Sequence, residues 1–314
     1  MKISFLTTSD KSSSKTNDQK ATVLALITVF FWSTVATAFK IGLRTLSPAQ
    51  LIFIASFIST LILFVFLISK GKLKQIRELS LKSILKSAFL GFLNPFLYYL
   101  IIFKAYSLLP AQVAQPLNMI WPIVLALLSV PMLKQKITLK DVLALIISFS
   151  GVFLISTQGD FISLKKSNTT GVLLALGSSL IWSLFWIYNV KNKEDERVKL
   201  FLNFLFGTLY LLIYLPLFSD FHFNWDQSLR AGIYIGFFEI GISFILWMKA
   251  LTLSSNNARI ANLIYIAPFL SLVFIHFIIG EQIYITTVLG LFFIISGILF
   301  QQKRKQFKDG KTTI

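Results

Sequence analysis

The sequence predicts an all-α polytopic membrane protein with ten transmembrane helices, arranged as two inverted repeats of five. Three observations lead to this prediction. The 314-residue chain is 55% hydrophobic and 14% charged, with a mean hydropathy of +0.75, which lies outside the range of soluble proteins. Apolar runs of about 18 to 22 residues recur along it, and each is long enough to cross a bilayer. Its two halves also share residues at nearly constant offsets.

Each predicted helix is an apolar run bounded by a short connection. The first run follows a polar tail, residues 1–20, which is rich in Ser and Lys and is predicted to be disordered. This run is too long for a signal-peptide core and lacks a small-residue cleavage site, so we expect it to be retained. The predicted helices lie at roughly residues 21–40, 49–69, 84–104, 110–132, 139–157, 170–190, 199–218, 230–249, 257–279 and 284–301. They form a first repeat at 21–157 and a second at 170–301, followed by a basic tail at 302–314.

The basic residues predict the orientation of the chain in the membrane. If the N-terminus is placed inside, most of the 30 Lys and Arg residues fall in connections on the inner side. This is the positive-inside bias, so we expect both termini to be cytoplasmic. Moving the helix count by one would remove the asymmetry, which favours ten helices. The basic residues on the opposite side are Lys40, Arg44, Lys104, Lys165, Lys166 and Arg230.

A repeated segment relates the two halves. Lys104-Ala105 aligns with Lys249-Ala250, and this register sets Asn94 opposite Glu239. With one inserted residue, Pro122 then matches Pro268. Because five is an odd number of helices, the second half must enter the membrane from the opposite face. In transporters, such an inverted repeat places the substrate site near the midplane between the halves.

Composition and motifs exclude several classes of function. The net charge of +17 lies between apolar runs and not in one patch, which argues against nucleic-acid binding. The chain has no cysteine, so it has no disulfides and no thiolate metal sites. It contains no phosphate-binding glycine loop, no histidine pair with metal spacing and no Gly-x-Ser-x-Gly elbow. We therefore expect a non-enzyme without metal or cofactor, and without an ATPase partner.

Glu239 is the strongest single candidate for a functional residue. It lies midway between Arg230 and Lys249 in the eighth apolar run. A carboxylate at such a depth costs about 2.5 to 3.5 kcal/mol on insertion scales, so it is expected to face the protein interior and to serve a function. The hypothesis is that Glu239 binds a proton or a substrate amine. The alternative is a carboxylic acid that only bonds to a neighbouring helix.

Polar side chains of the first half could complete this site. Asn94 precedes Pro95, which can kink the third helix at mid-depth. Gln115 and Asn118 share one face of the fourth helix with Gln112, whose place near the membrane surface favours contact with water. Each of these amides could instead form a plain interhelical hydrogen bond. The candidate hinges for a rocking motion are Pro95, Pro116, Pro122 and Pro268.

Aromatic side chains suggest a surface for an organic substrate. Trp182, Ser183 and Trp186 recur at helical spacing on the sixth helix, and Trp32 lies in a similar context on the first. Tyr265 lies on the ninth helix near Asn262. Aromatic faces beside hydroxyl groups suit an amphipathic molecule such as an amino acid or a cationic drug. The alternative is ordinary packing.

Short motifs in both halves point to a known family. The first half contains Phe31-Trp32-Ser33-Thr34 with Lys40, Lys104-Ala105, and Asn118 followed by Trp121-Pro122; the second contains Lys249-Ala250, Pro268 and Gly280-Glu281. Over about residues 20 to 302 the chain resembles the drug/metabolite transporter superfamily and, within it, the ten-helix EamA-type exporters. The resemblance implies that helices 1, 3, 4, 6, 8 and 9 surround a central cavity. The Asn-x-x-Trp-Pro element is also similar to the aromatic amino acid exporters. The first half has Lys134-Gln135 where the second has Gly280-Glu281.

The expected function is a secondary transporter that exports small organic molecules, such as amino acids or related metabolites, by alternating access. The direction follows from the resemblance alone, and protons acting through Glu239 could supply the energy. The alternatives are an importer or exchanger of a drug, vitamin or nucleobase, a lipid-handling protein, or a membrane-embedded enzyme. A non-transporting scaffold would not explain why the chain carries a carboxylate as costly as that of Glu239 inside the membrane. The resemblance and the apolar helices imply a bacterial inner membrane.

Overall fold

The protein is a bundle of apolar α-helices in the computed structural model. The structure describes residues 8–133, 139–157, 168–190, 192, 194–254, 260 and 263–308, and these residues contain no β-strand. The predicted all-α fold class is confirmed. Lys134, Gln135 and Asn262, which entered the sequence argument, lie outside the described residues.

Ten apolar helical elements follow one another along the described chain. A further five-residue helix, Leu73–Arg77, lies in the connection after the second of them. We label the elements α1 (Thr8–Gly42), α2 (Pro48–Ser69), α3 (Leu81–Leu108), α4 (Ala111–Asn118 and Trp121–Leu133), α5 (Leu139–Thr157), α6 (Thr169–Val190), α7 (Glu196–Phe218), α8 (Gln227–Leu253), α9 (Leu263–Ile279) and α10 (Ile285–Lys308).

Seven of these helices are long and apolar enough to cross a membrane: α1 to α4 and α6 to α8. Shorter apolar stretches, Val142–Ile155, Leu263–Ile279 and Ile285–Phe300, form α5, α9 and most of α10. The predicted count of ten membrane helices therefore stays a prediction for these three. Helix α1 begins at Thr8, which differs from the predicted disorder of residues 1–20, because residues 8–20 extend the helix ahead of the apolar run. Adding residues to an existing helix costs far less than starting one.

Helices α3 and α8 are both interrupted near their centres. In α3 a wide π-helical turn, Phe92–Leu97, contains Pro95, and Asn94 has an extended backbone (φ −149°, ψ 119°). Proline has no N–H group to continue the helical ladder, so the break follows from the sequence. In α8 the corresponding wide turn is Gly236–Gly241, and the Ser59 hydroxyl of α2 donates to the Gly236 carbonyl at 2.9 Å. π-Helical turns of this kind are frequent at functional sites.

The helices pack in pairs that join the two halves of the chain. Helix α1 packs against α8 and α9, α6 packs against α3 and α4, and α2 packs against α7. Two glycines permit close approaches between these helices: a Cβ atom on Gly91 would lie 2.4 Å from the Asn203 carbonyl oxygen, and one on Gly236 would lie 2.8 Å from that of Ala55. Glycine at these positions lets α3 reach α7, and α8 reach α2.

Helices α5 and α10 form a pair of their own. A Cβ atom on Gly151 would lie 2.4 Å from the Gly290 carbonyl oxygen, and one on Gly297 would lie 2.7 Å from that of Ala144. The two backbones therefore run in contact along most of the pair. This arrangement leaves the remaining helices to surround the centre of the bundle.

Candidate functional site

Glu239 lies inside the bundle, in the wide turn at the middle of α8. Its carboxylate oxygen Oε1 accepts a hydrogen bond of 3.0 Å from the Tyr99 hydroxyl of α3. Its backbone carbonyl accepts one of 3.0 Å from Trp32 Nε1 of α1. The side chain is half-buried and forms no ion pair with any described residue. Since its partners belong to α1 and α3, Glu239 faces other helices and not lipid.

A second hydrogen-bonded chain begins at the neighbouring residue, Tyr98. The Tyr98 hydroxyl donates to Asn118 Oδ1 at 3.1 Å, and Asn118 Nδ2 donates to the Ser178 hydroxyl at 2.8 Å. The chain joins α3, α4 and α6. Because Tyr98 and Tyr99 are adjacent, with ring centroids 4.9 Å apart, the chain lies beside the Glu239 contact.

Aromatic rings cover one side of this polar centre. Trp182 of α6 lies 4.7 Å from Tyr98 between ring centroids, 6.5 Å from Trp121 and 6.0 Å from Trp186. The buried Nε1 atom of Trp186 has no hydrogen-bond partner among the described residues. A carboxylate beside several aromatic faces can hold a cationic or amphipathic organic group. We call Glu239, Tyr98, Tyr99, Asn118 and Trp182 the central cluster.

The structure brings most of the predicted site residues together. Trp32 joins the central cluster through Glu239, and Trp186 joins it through Trp182. Ser183 donates to the Trp121 carbonyl at 2.9 Å and so anchors the second part of α4 against α6. A role of Ser183 in the pathway stays a prediction.

The remaining predicted site residues are Asn94, Gln115 and Tyr265. Asn94 is 1% exposed, and its Oδ1 atom accepts no hydrogen bond from the described residues. The same holds for the buried Oε1 atom of Gln115. Tyr265 is half-buried and packs against the main hydrophobic core.

The four predicted hinge prolines all lie at or beside irregularities of the helices. Pro95 lies in the wide turn of α3, and Pro116 is in the short first part of α4. Pro122 opens the second part of α4 after the interruption at Met119 and Ile120. Pro268 follows the single 3₁₀ turn Leu263–Ile266 that begins α9. Their role in motion stays a prediction.

The sequence argument missed Tyr98, Tyr99 and Ser178. A signal was present, because two adjacent tyrosines in the middle of an apolar run need hydrogen-bond partners once they are buried. The identity of those partners depends on how the helices are rotated, which the spacing within one helix does not give.

A second polar cluster, which we call the end clasp, joins the halves at one end of the bundle. The Glu281 carboxylate accepts hydrogen bonds from the backbone N–H groups of Ala111 (2.8 Å) and Gln112 (3.2 Å), where α4 begins. Gln112 Nε2 donates to the Gln282 carbonyl at 2.6 Å, while its Oε1 accepts from Tyr284 N–H and the Thr287 hydroxyl. The expectation that water satisfies Gln112 is therefore wrong: the side chain is 2% exposed, and the protein supplies its partners.

Lys40 closes the same end of the bundle. Its ammonium group donates to the carbonyl oxygens of Tyr106 and Leu109, each at 3.0 Å, where α3 ends. These carbonyls hold Lys40, one of the basic residues assigned to the side opposite the termini, between α1 and α3. A cation is favourable at this position because the end of a helix carries unpaired carbonyl groups and partial negative charge.

Comparisons with known proteins agree with a transport role. The EamA-like transporter family matches the chain twice, over residues 19–157 and 169–301. An uncharacterized transporter of Clostridium kluyveri is 26% identical over 309 residues, which cover 93% of this chain and 96% of that protein. An uncharacterized transporter of Archaeoglobus fulgidus is 22% identical over 287 residues, covering 90% and 96%.

One solved structure shows the same fold. It is titled only "Crystal structure of protein" and superposes with a TM-score of 0.65 at 16% identity, covering 93% of this chain and 99% of that one. Among the residues that the structure describes, no group of three or more His, Cys, Asp or Glu side chains could hold a metal ion.

Proposed function

We propose, from the premise that this chain belongs to the EamA-like transporter family, that it is a secondary transporter that exports small organic solutes by alternating access. Amino acids and related metabolites are the solute class we assign. The observation that carries the proposal is the central cluster: an interior carboxylate that forms no ion pair with any cation of the described residues and lies beside aromatic rings. A buried charge is costly, and a site of this composition matches an amine with an apolar body.

We propose that the two halves, residues 21–157 and 170–301, form an inverted repeat. The double family match supports this, and so does the packing. In such a repeat α1 corresponds to α6, α3 to α8 and α4 to α9. The contact between α1 and α8 then corresponds to that between α6 and α3, and the contact between α1 and α9 to that between α6 and α4. All four contacts are present. The wide turns of α3 and α8 fall at matching positions. The hydroxyls of Thr60 and Thr208, which are 148 residues apart, meet at 3.1 Å, as expected near a pseudo-two-fold axis.

Glu239 supplies the proposed coupling to protons. A carboxylate that releases its proton when a substrate ammonium group binds, and regains it when that group leaves, exchanges one cation for another. The hydrogen bond from Tyr99 holds the carboxylate in place in both steps. Asn118 and the free Oε1 atom of Gln115 offer hydrogen bonds to the polar groups of a solute.

The proposed location is the bacterial inner membrane with both termini in the cytoplasm, as the basic residues indicate. This orientation places the end clasp on the outer side. Alternating access requires the clasp to open when solute leaves, since it fastens α4 of the first half to the connection between α9 and α10. Pro95, Pro116, Pro122 and Pro268 are the proposed hinges of that motion.

The test is solute efflux from intact cells. Cells making wild type, Glu239→Gln or no transporter are loaded with amino acids, supplied as dipeptides, and with common metabolites, and the medium is analysed by mass spectrometry. Glu78→Gln serves as the matched control, because Glu78 is an exposed carboxyl residue in the connection after α2.

The proposal predicts faster release of one solute class with wild type and Glu78→Gln, and loss of that release with Glu239→Gln. Equal efflux by Glu239→Gln and wild type would show that the carboxylate is structural. Uptake in place of efflux would favour an importer or exchanger.

A further inference from the structure

An open groove of about 440 Å³ lies where α1 enters the apolar bundle and α8 ends. Its lining is Gln19, Lys20, Val23, Leu24, Lys249 and Leu253. The groove is thus shared by the first helix of the first half, α1, and the third helix of the second half, α8. It lies far along α8 from Glu239, so it is separate from the central cluster.

The two lysines of the groove are unneutralised. Lys20 and Lys249 are both exposed, and neither forms an ion pair or a side-chain hydrogen bond with a described residue. By contrast, Lys72 pairs with Asp195 at 3.3 Å and Lys199 pairs with Glu196 at 2.6 Å. None of the described residues that line the groove is acidic, and its two lysines present two positive charges to a ligand.

The apolar side of the groove faces away from the bundle. Val23 is 55% exposed, and Ile27 (40%) and Phe30 (49%) continue the same stripe along α1 at helical spacing. The opposite face of α1 is fully buried, with Ala21 and Ala25 packed in one cluster with Ala250. The groove therefore opens towards the surroundings of the protein, where a membrane helix meets acyl chains.

We propose that this groove binds an anionic phospholipid of the inner leaflet. Lys20 and Lys249 would hold the phosphate, Gln19 would donate a hydrogen bond to it, and an acyl chain would lie along Val23, Ile27 and Phe30. Basic residues beside a membrane helix attract anionic lipids of the cytoplasmic leaflet. The inference rests on the orientation proposed above, which places this end of α1 and α8 in the cytoplasm.

A lipid in this groove would also connect the halves of the protein. Lys20 lies on α1, which continues into the first half, and Lys249 lies on α8 of the second half. The two halves must shift relative to each other during alternating access. Bridging the two lysines therefore ties transport to the lipid composition of the membrane.

The test is native mass spectrometry of the purified full chain, equilibrated with phosphatidylglycerol or phosphatidylcholine of the same acyl chains. The variants are wild type, the double variant Lys20→Gln/Lys249→Gln, and the double control Lys74→Gln/Lys82→Gln. Lys74 and Lys82 are exposed basic residues outside the groove, so the control removes the same charge. We expect wild type and control to retain phosphatidylglycerol over phosphatidylcholine, and the groove variant to retain it roughly 10- to 30-fold less.

Two further experiments distinguish a lipid phosphate from free inorganic phosphate as the ligand. Inorganic phosphate should fail to displace the lipid, and Val23→Gln should weaken lipid retention because it disturbs the apolar stripe. If the control variant loses as much phosphatidylglycerol as the groove variant, retention depends on overall charge and not on the groove, and the inference is overturned. Displacement by millimolar inorganic phosphate would overturn it in favour of a soluble anion.

The lipid inference and the proposed function can fail separately. If the protein retains phosphatidylglycerol selectively but releases no solute, only the transport proposal is overturned. If it releases solute but shows no selective lipid retention, only the lipid site is overturned.

Discussion

The Tyr99 hydroxyl lies 3.0 Å from the carboxylate oxygen Oε1 of Glu239. The contact joins α3 to α8 beside the wide turns that interrupt both helices. A donor from the first half of the chain thus fixes the interior carboxylate of the second half.

Replacing Tyr99 by Phe should slow transport while keeping the fold. The ring of Tyr99 packs edge-on against Phe103 and Phe39, and Phe keeps these contacts. Losing a hydrogen bond to a charged group costs about 1.5 to 3 kcal/mol, so we expect efflux to fall roughly ten-fold or more. Efflux of the solute identified for wild type is the measurement. Tyr214→Phe, on a ring that stacks on Phe218, is the control. Unchanged efflux by Tyr99→Phe would show that Glu239 needs no such donor.

Removing either partner of the end clasp should expose the interior to the outside. Glu281→Gln weakens the bonds to the start of α4, and Gln112→Ala leaves Tyr284 N–H and the Gln282 carbonyl without that partner. Losing each of these part-buried hydrogen bonds costs about 0.5 to 1.5 kcal/mol, which shifts the balance away from the closed end. Since the chain has no cysteine, Gln115→Cys provides a single reporter for a membrane-impermeant maleimide.

The clasp variants should be labelled faster from outside the cell than the reporter protein alone. Gln282→Ala is the matched control, because Gln282 takes part through its backbone carbonyl. Faster labelling only from the cytoplasmic side would reverse the proposed orientation.

Alanine at the close-contact glycines should destabilise the bundle. A Cβ atom on Gly91 or Gly236 would meet a backbone oxygen at 2.4 or 2.8 Å, so the paired helices must separate. Overpacking of this kind costs about 1 to 3 kcal/mol. Gly177→Ala is the control, because a Cβ atom there meets nothing within 4 Å. Thermal unfolding in detergent should show lower Tm values for Gly91→Ala and Gly236→Ala than for Gly177→Ala, and equal values would contradict the close packing.

Asp226 should make stability depend on acidic pH. The N–H group of Leu229 and the Thr45 hydroxyl donate to its carboxylate and hold the pKa of Asp226 below its usual range. A lowered folded-state pKa gives stability that is present above the unfolded-state pKa and is lost as the pH falls through the folded-state value. Asp226→Asn keeps a side chain that can cap α8 but removes the charge. We expect the Tm of wild type to exceed that of the variant at pH 7 and to converge with it as the pH falls through the lowered folded-state pKa. A constant difference would contradict the role of the charge.

The sequence predicts much of the site's location but few of its contacts. Glu239 stands out because a carboxylate far from both ends of an apolar run must face inward. Its alignment with Asn94 follows from the sequence repeat. The two wide turns fall where Asn94 and Glu239 were aligned. These predictions depend only on hydrophobicity and spacing, which are properties of the chain itself.

The missed contacts depend on relations between helices. Tyr99 and Glu239 are 140 residues apart, and only the rotation of α3 and α8 brings them together. The partners of Glu281 are backbone N–H groups. Every residue except proline has such a group, so the pattern of side chains in the sequence cannot predict these partners. Gln112 was expected to contact water because the sequence indicates its depth in the membrane. The sequence does not indicate which residues of α10 and the preceding connection lie beside it.

Asn94 and Glu239 occupy matching turns but carry different chemistry. In an assembly of two identical five-helix subunits, any acid at this position would appear twice, once in each turn. A single duplicated gene escapes that constraint, because each copy can mutate alone. One copy keeps an amide and the other an acid, so the two matching turns hold a single carboxyl group between them. The proposed coupling through Glu239 would therefore exchange at most one proton there in each cycle.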